Sequence, residues 1–182
     1  IGNESTIRSG LSELSAEPSL FEIVNATQVI EMADQPAKAF SQKKNSSIAV
    51  GYGMLKSGLI QGFCSAGNTG AMLVGASYTV NVIPGVFRPA LATQVPCING
   101  KASIILDVGL NPDCKPDVLL QYGILGTSYA KYVLGIDNPT VGLLNIGEED
   151  SKETPAVKTA FELMKEHPGL NFVGNIEANQ LF

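Results

Sequence analysis

The sequence is poor in the groups on which many enzymes depend. It holds one histidine, His167, at a helix end before Pro168, where it reads as a C-terminal cap. A Ser-His-Asp triad therefore has no base to draw on within these residues. The three cysteines, Cys64, Cys97 and Cys114, are odd in number and form no C-x-x-C pair, so they suggest neither a metal site nor a disulfide framework. They point instead to a reducing, cytosolic compartment. Lys plus Arg number 12 against 17 Asp plus Glu, a net charge of -5, which argues against general nucleic-acid binding. A local site for a small anion survives that argument. No run of 18 apolar residues and no signal-peptide pattern is present. The chain opens at Ile1 and closes on Leu181-Phe182 with no polar tail, so both ends read as cuts through a longer protein.

Apolar residues are plentiful at 45% and charged ones sparse at 16%, which is a folding composition. A length of 182 residues suits a single α/β domain spanning 1–182. Periodicity and punctuation predict helices from an Asn3 cap toward Leu14, over 35–42, from the Ser46-Ser47 cap to Lys56, over 69–82, from Pro116 to Leu134, and from Pro155 to Glu166. Strands are predicted over 19–25, 60–65, 90–96, 103–108, 140–146 and 171–176, with a hairpin turn at Asn99-Gly100. Alternation of this kind predicts a mixed, largely parallel sheet flanked by helices.

Open α/β sheets bind ligands at the carboxyl ends of their strands. Three predicted strand ends carry polar, glycine-rich text: residues 65–71 (SAGNTGA), 107–113 (DVGLNPD) and 145–152 (NIGEEDSK). In the first, Gly67 and Gly70 allow close approach of backbone N–H groups to an anion, and the following helix offers free donors and a partial positive charge. Ser65, Asn68 and Thr69 add side-chain donors, with Ala66 between them. The competing reading is a helix cap with a close-packed glycine. The glycine spacing is not G-x-G-x-x-G, and no G-K-[ST] follows, so neither a dinucleotide turn nor a P-loop fits. In the third loop Lys152 is either solvated or a ligand for phosphate or an oxyanion. Arg88, before Pro89, is a further anion ligand or a surface ion pair. Lys43 and Lys44 read as a solvated face, and Cys64 as a packing residue at a buried strand end.

Several segments together resemble the PlsX family of bacterial phosphate acyltransferases of phospholipid synthesis. They are 64–71 (CSAGNTGA), Arg88-Pro89-Ala90, 107–116 (DVGLNPDCKP), 141–149 (VGLLNIGEE) and 171–177 (NFVGNIE), with Pro36-Ala37 and 43–47 (KKNSS) upstream. The resemblance covers nearly the whole chain and implies the central part of a longer protein. It implies an α-β-α sandwich akin to phosphotransacetylases and the isocitrate/isopropylmalate dehydrogenases. It implies transfer of a fatty acyl group from acyl carrier protein to inorganic phosphate, giving acyl phosphate, with no metal or organic cofactor. In those terms Lys152 and Asn68 are the catalytic candidates. Ser65, Ala66, Gly67, Thr69 and Gly70 are the phosphate-binding candidates, and Arg88, Asn111, Asp113 and Asn145 are substrate contacts. Lys43, Lys44 and Arg88 are candidates for a basic dock for the acidic carrier. A homodimer in the cytoplasm is implied, with peripheral contact at the inner membrane face through C-terminal helices of the family not found in this sequence. The family's Asp-Ala-Met-Gly-Gly-Asp and Asp-Gly-Phe-x-Gly-Asn texts are also not found, and Glu153 stands where the family usually has glycine. Two other readings are a phosphotransacetylase acting on acyl-coenzyme A, and a non-catalytic fragment that binds phosphate or mediates dimer contact.

Overall fold

Helices begin where the capping residues place them. The computed structural model describes residues 1–109, 111, 113–145 and 154–181, and the chain forms two compact units, Ile1–Pro84 and Gly85–Phe182. In the first, the Asn3 side chain accepts from the Thr6 N–H and starts α1 (Glu4–Glu13). Pro36 opens α2 (Pro36–Gln42) at a position where its missing N–H costs nothing. The Ser46 hydroxyl, fully buried, accepts from the Ala49 N–H and caps α3 (Ser47–Lys56). Gly58, at φ +73°, supplies the left-handed residue just beyond its end. Asn68 caps α4 (Thr69–Thr79).

The core of this unit is Ile30, Ala39, Phe40, Ile48, Tyr52 and Ala71, with Phe63 packed against it. The Tyr52 ring stands edge-on to Phe63, with centroids 5.1 Å apart, and to Phe40 at 6.3 Å. These rings lie against Gly51 and Gly75, where any side chain would collide with them, so glycine is what lets α3 and α4 close on the aromatic cluster.

Two predicted strands of this unit do not form. Residues 19–25 open instead with a 3-10 turn at Pro18–Leu20, started by the Glu17 side chain, and only Asn25 makes a single bridge, to Gly2. Residues 60–65 run irregularly, because Phe63 turns into the aromatic cluster and no neighbouring strand among the described residues offers a ladder. Cys64, expected to be buried, is exposed for the same reason. Helix α4 also ends earlier than its apolar pattern suggests, with Asn81 at φ +68° just beyond it.

The second unit carries the strands. β1 (Ala92–Pro96) and β2 (Ala102–Leu106) pair antiparallel across the Asn99-Gly100 turn, Gly100 taking φ +76°. Helix α5 (Pro116–Tyr132) buries Val118, Tyr122, Gly126 and Ala130, one residue per turn on a single face. β3 (Thr140–Leu144) and β4 (Asn171–Ile176) pair in parallel, joined through α6 (Pro155–Glu166), as a parallel crossover requires. Their core is Leu143, Ala160 and Met164, with Leu119, Phe161 and Phe172 around it. The mixed α/β pairing expected from the sequence is present, as one parallel and one antiparallel pair. Among the described residues no helix is long and apolar enough to cross a membrane.

Candidate functional site

The glycine turn lies in the first unit. Its centre is Asn68, which is 4% exposed. The Asn68 Oδ1 accepts from the Ala71 N–H at 2.9 Å and so caps α4. The Asn68 Nδ2 donates the other way, to the carbonyls of Glu31 at 3.0 Å, Met32 at 3.2 Å and Asp34 at 3.2 Å. Both ends of this amide are therefore engaged within the chain. Gly70 is placed by packing: a Cβ there would run into the Pro36 ring, so its absence lets α4 start directly against the start of α2. The competing reading of the turn, a cap with a close-packed glycine, describes these two residues well.

The outer side of the turn differs. Ser65, Ala66 and Thr69 are exposed, and the Ser65 hydroxyl accepts from the Gly67 N–H at 3.1 Å. The backbone N–H groups of Thr69 and Gly70 belong to the first turn of α4, where a helix has no partners of its own for them. Two donors at the positive end of an 11-residue helix, flanked by two hydroxyls, make a surface suited to an anion.

Lys43 and Asp34 were not singled out as part of this turn by the sequence, yet they bear on it. The Lys43 Nζ donates to the Val29 carbonyl at 2.7 Å and to the Asp34 carboxylate at 2.5 Å. The Asp34 carboxyl also accepts from the Glu31 N–H, and these bonds, the Lys43 one foremost, hold its pKa below the ordinary carboxylate value. Carbonyl acceptors leave no trace in a sequence, so the pattern of residues does not mark this loop. Lys44, its neighbour, lies over the Phe40 ring at 5.5 Å.

The other predicted contacts lie in the second unit. Asp107 follows β2; its Oδ1 accepts from the Leu91 N–H and its Oδ2 from the Asn111 N–H, each at 2.6 Å. The Asn111 Nδ2 reaches the Tyr122 hydroxyl at 3.0 Å, the Asp107 carboxylate at 3.2 Å and the Pro89 carbonyl at 3.3 Å. Asn111 is thus the tie between the segment before β1, the end of β2 and helix α5. Burial first, then the Cys114 thiol and the Asp107 charge, push the Tyr122 hydroxyl up to about 12. Burial likewise raises the Cys114 thiol, which Asp107 and Asp113 raise further while Tyr122 and Arg88 oppose them. Arg88 and Asp113 are exposed beside this network, and Arg88 makes no ion pair with the described residues.

Asn145 follows β3, and its N–H donates to the Ile176 carbonyl at 3.0 Å. It lines a cleft of about 740 Å³ at the carboxyl ends of β3 and β4, with Leu144, Thr154, Val157, Glu177 and Asn179. Lys152 and the rest of 146–153 lie outside the described residues. His167 ends α6 as expected, its Nδ1 accepting from the Gly169 N–H at 3.1 Å. Among the described residues no cluster of three or more His, Cys, Asp or Glu side chains could hold a metal ion.

Known proteins resemble this arrangement at two levels. In fold, the chain is similar to a phosphotransacetylase from Streptococcus pyogenes, with a TM-score of 0.66 and 19% identity over 100% of this chain and 61% of that one. It is similar also to the EutD phosphotransacetylase from Staphylococcus aureus, with a TM-score of 0.61 and 19% identity over 97% of this chain and 58% of that one. In sequence, it is 45% identical to a phosphate acyltransferase of Caldicellulosiruptor saccharolyticus over 99% of this chain and 54% of that protein. A phosphate acyltransferase of Acetivibrio thermocellus is also 45% identical, over 100% of this chain and 53% of that protein. The chain spans about half the length of the curated relatives it matches. All of residues 1–182 match the family described as "Fatty acid synthesis protein", and the chain belongs to that family, the PlsX family its motifs pointed to.

Proposed function

We propose that this chain is part of an acyltransferase that moves a fatty acyl group from acyl carrier protein to inorganic phosphate. The observation that carries the reading is the 45% identity, across 99% of the chain, to a protein named phosphate acyltransferase. Phosphate sits on the outer side of the Asn68 turn, held by the N–H groups of Thr69 and Gly70 and by the Ser65 and Thr69 hydroxyls. Asn68 is a positioning residue that fixes the start of α4; it does not touch the anion. A phosphate oxygen attacks the thioester carbonyl, the C–O bond forms and the C–S bond breaks. The carrier's thiolate leaves and takes a proton, and acyl phosphate is released. Holding the nucleophile in place supplies several kcal/mol, and each donor to the tetrahedral oxyanion about 3 kcal/mol. Lys152 is the proposed oxyanion or second phosphate ligand. Arg88, Asp113 and Asn145 remain proposed substrate contacts, and Asn111 is assigned to holding its loop. The whole protein is proposed to work as a homodimer in the cytoplasm, in peripheral contact with the membrane.

The test is acyl phosphate formation from acyl carrier protein thioester and phosphate, with the Caldicellulosiruptor saccharolyticus relative as positive control. Product from the carrier thioester is expected. Turnover of acyl-coenzyme A with none of the carrier thioester would replace this reading by the phosphotransacetylase one, which the fold resemblance favours. Phosphate binding with neither substrate turned over would leave a binding fragment.

A further inference from the structure

Residues 29–36 touch the phosphate turn from two sides. The carbonyls of Glu31, Met32 and Asp34 hold the Asn68 amide, and Pro36 abuts Gly70. What shapes residues 29–34 is therefore passed to the N-terminus of α4. The turn is closed by the Asp34 N–H on the Glu31 carbonyl at 3.1 Å and by the Glu31 N–H on the Asp34 carboxylate at 2.9 Å. Lys43, at the C-terminal end of α2, bridges its two ends through the Val29 carbonyl and the Asp34 carboxylate.

We propose that Lys43, paired with Asp34, is a positioning residue for phosphate: it clamps the 29–34 loop, which fixes Asn68, which sets the two backbone donors at the start of α4. The proposal rests on the phosphate reading above. A partly exposed ion pair by itself adds little stability. This one differs in that the same ammonium also binds a backbone carbonyl, so its removal frees a loop whose carbonyls have a second task. It also separates Lys43 from a role in carrier docking. An ammonium already held by two chain oxygens is engaged, and its loss is expected in phosphate affinity, not in the Michaelis constant for the carrier.

The experiment measures the dissociation constant of inorganic phosphate by phosphorus NMR titration, and amide exchange at Ala71, for the Lys43→Met, Asp34→Asn, Asn68→Ala and Lys43→Met/Asn68→Ala chains. Lys43→Met is expected to weaken phosphate roughly tenfold, about what one hydrogen bond contributes net. The double variant is expected to match Asn68→Ala alone, since residues acting in series are not additive. Lys43→Arg, which keeps the charge and donors, is expected to restore most of the affinity. Asp34→Asn keeps an acceptor for the Glu31 N–H while removing the charge, and decides the matter if Lys43→Met does not fold. Unchanged phosphate affinity in both Lys43→Met and Asp34→Asn, or losses that multiply in the double variant, would overturn the proposal. If the parent chain binds no phosphate, the phosphate reading fails. The clamp is then judged by exchange at Ala71, which is expected to speed up roughly tenfold in Lys43→Met as its cap loosens; unchanged exchange would refute it.

Discussion

Asn68 does two jobs with one amide. Its oxygen caps α4 and its nitrogen holds three carbonyls of a distant loop. At an ordinary helix start asparagine and aspartate are near equivalents. Here Asn68→Asp keeps the bond to the Ala71 N–H but turns the donated bonds into contacts between a carboxylate and three carbonyl oxygens. We expect it to cost about 3 kcal/mol or more, as buried polar groups lose their partners, and more than Asn68→Ala; chemical denaturation of the two variants checks the order. Tyr122 gives a second residue-scale expectation. Its hydroxyl is raised to about 12, so the folded state binds that proton more tightly than the unfolded chain, which loses it near 10. Stability from this group is full below pH 10 and falls as pH rises from there through about 12. Denaturation midpoints across that range are expected to decline more steeply for the parent than for Tyr122→Phe.

At the scale of elements, helices were legible and strands were partly so. Asn3, Ser46, Asn68, Pro116 and Pro155 mark helix starts through chemistry confined to a few neighbouring residues. Residues 60–65 have a strand's composition, but a strand is completed only by a partner, and Phe63 is drawn into the Tyr52 cluster instead. The outer face of the candidate site was legible for a like reason: Ser65, Thr69 and the helix start are contiguous. The carbonyls behind Asn68 were not, because they meet its amide only on folding, across separations of 34 to 37 residues, and Lys43 reaches Asp34 and the Val29 carbonyl across 9 and 14 residues, spacings that match no helix or strand period. The β3–α6–β4 unit offers its own test. Met164 is 3% exposed in its core, and Met164→Ala is expected to cost roughly 2–5 kcal/mol. Loss of amide protection in β3 and β4 is the measurement, and a cost below about 1 kcal/mol would contradict this packing.

At the scale of the molecule, each unit has its own apolar core, and the chain between them is exposed. Val80, Val82 and Ile83 all face solvent just before the boundary at Pro84. Brief proteolysis is expected to cut first within 80–84, as exposed segments between units do. Mass spectrometry of the products checks this, and first cuts inside α3 or α5 would contradict it. That boundary gives the Asn68 turn a further meaning. Its cap, the carbonyls that hold it, Lys43 and Pro36 all precede residue 85. The instructions for shaping this turn are thus written in one contiguous stretch of 84 residues. Every bond and contact named for the turn has both of its partners within that stretch. The turn is in that sense encoded as a cassette, its shaping contacts contained in the first unit.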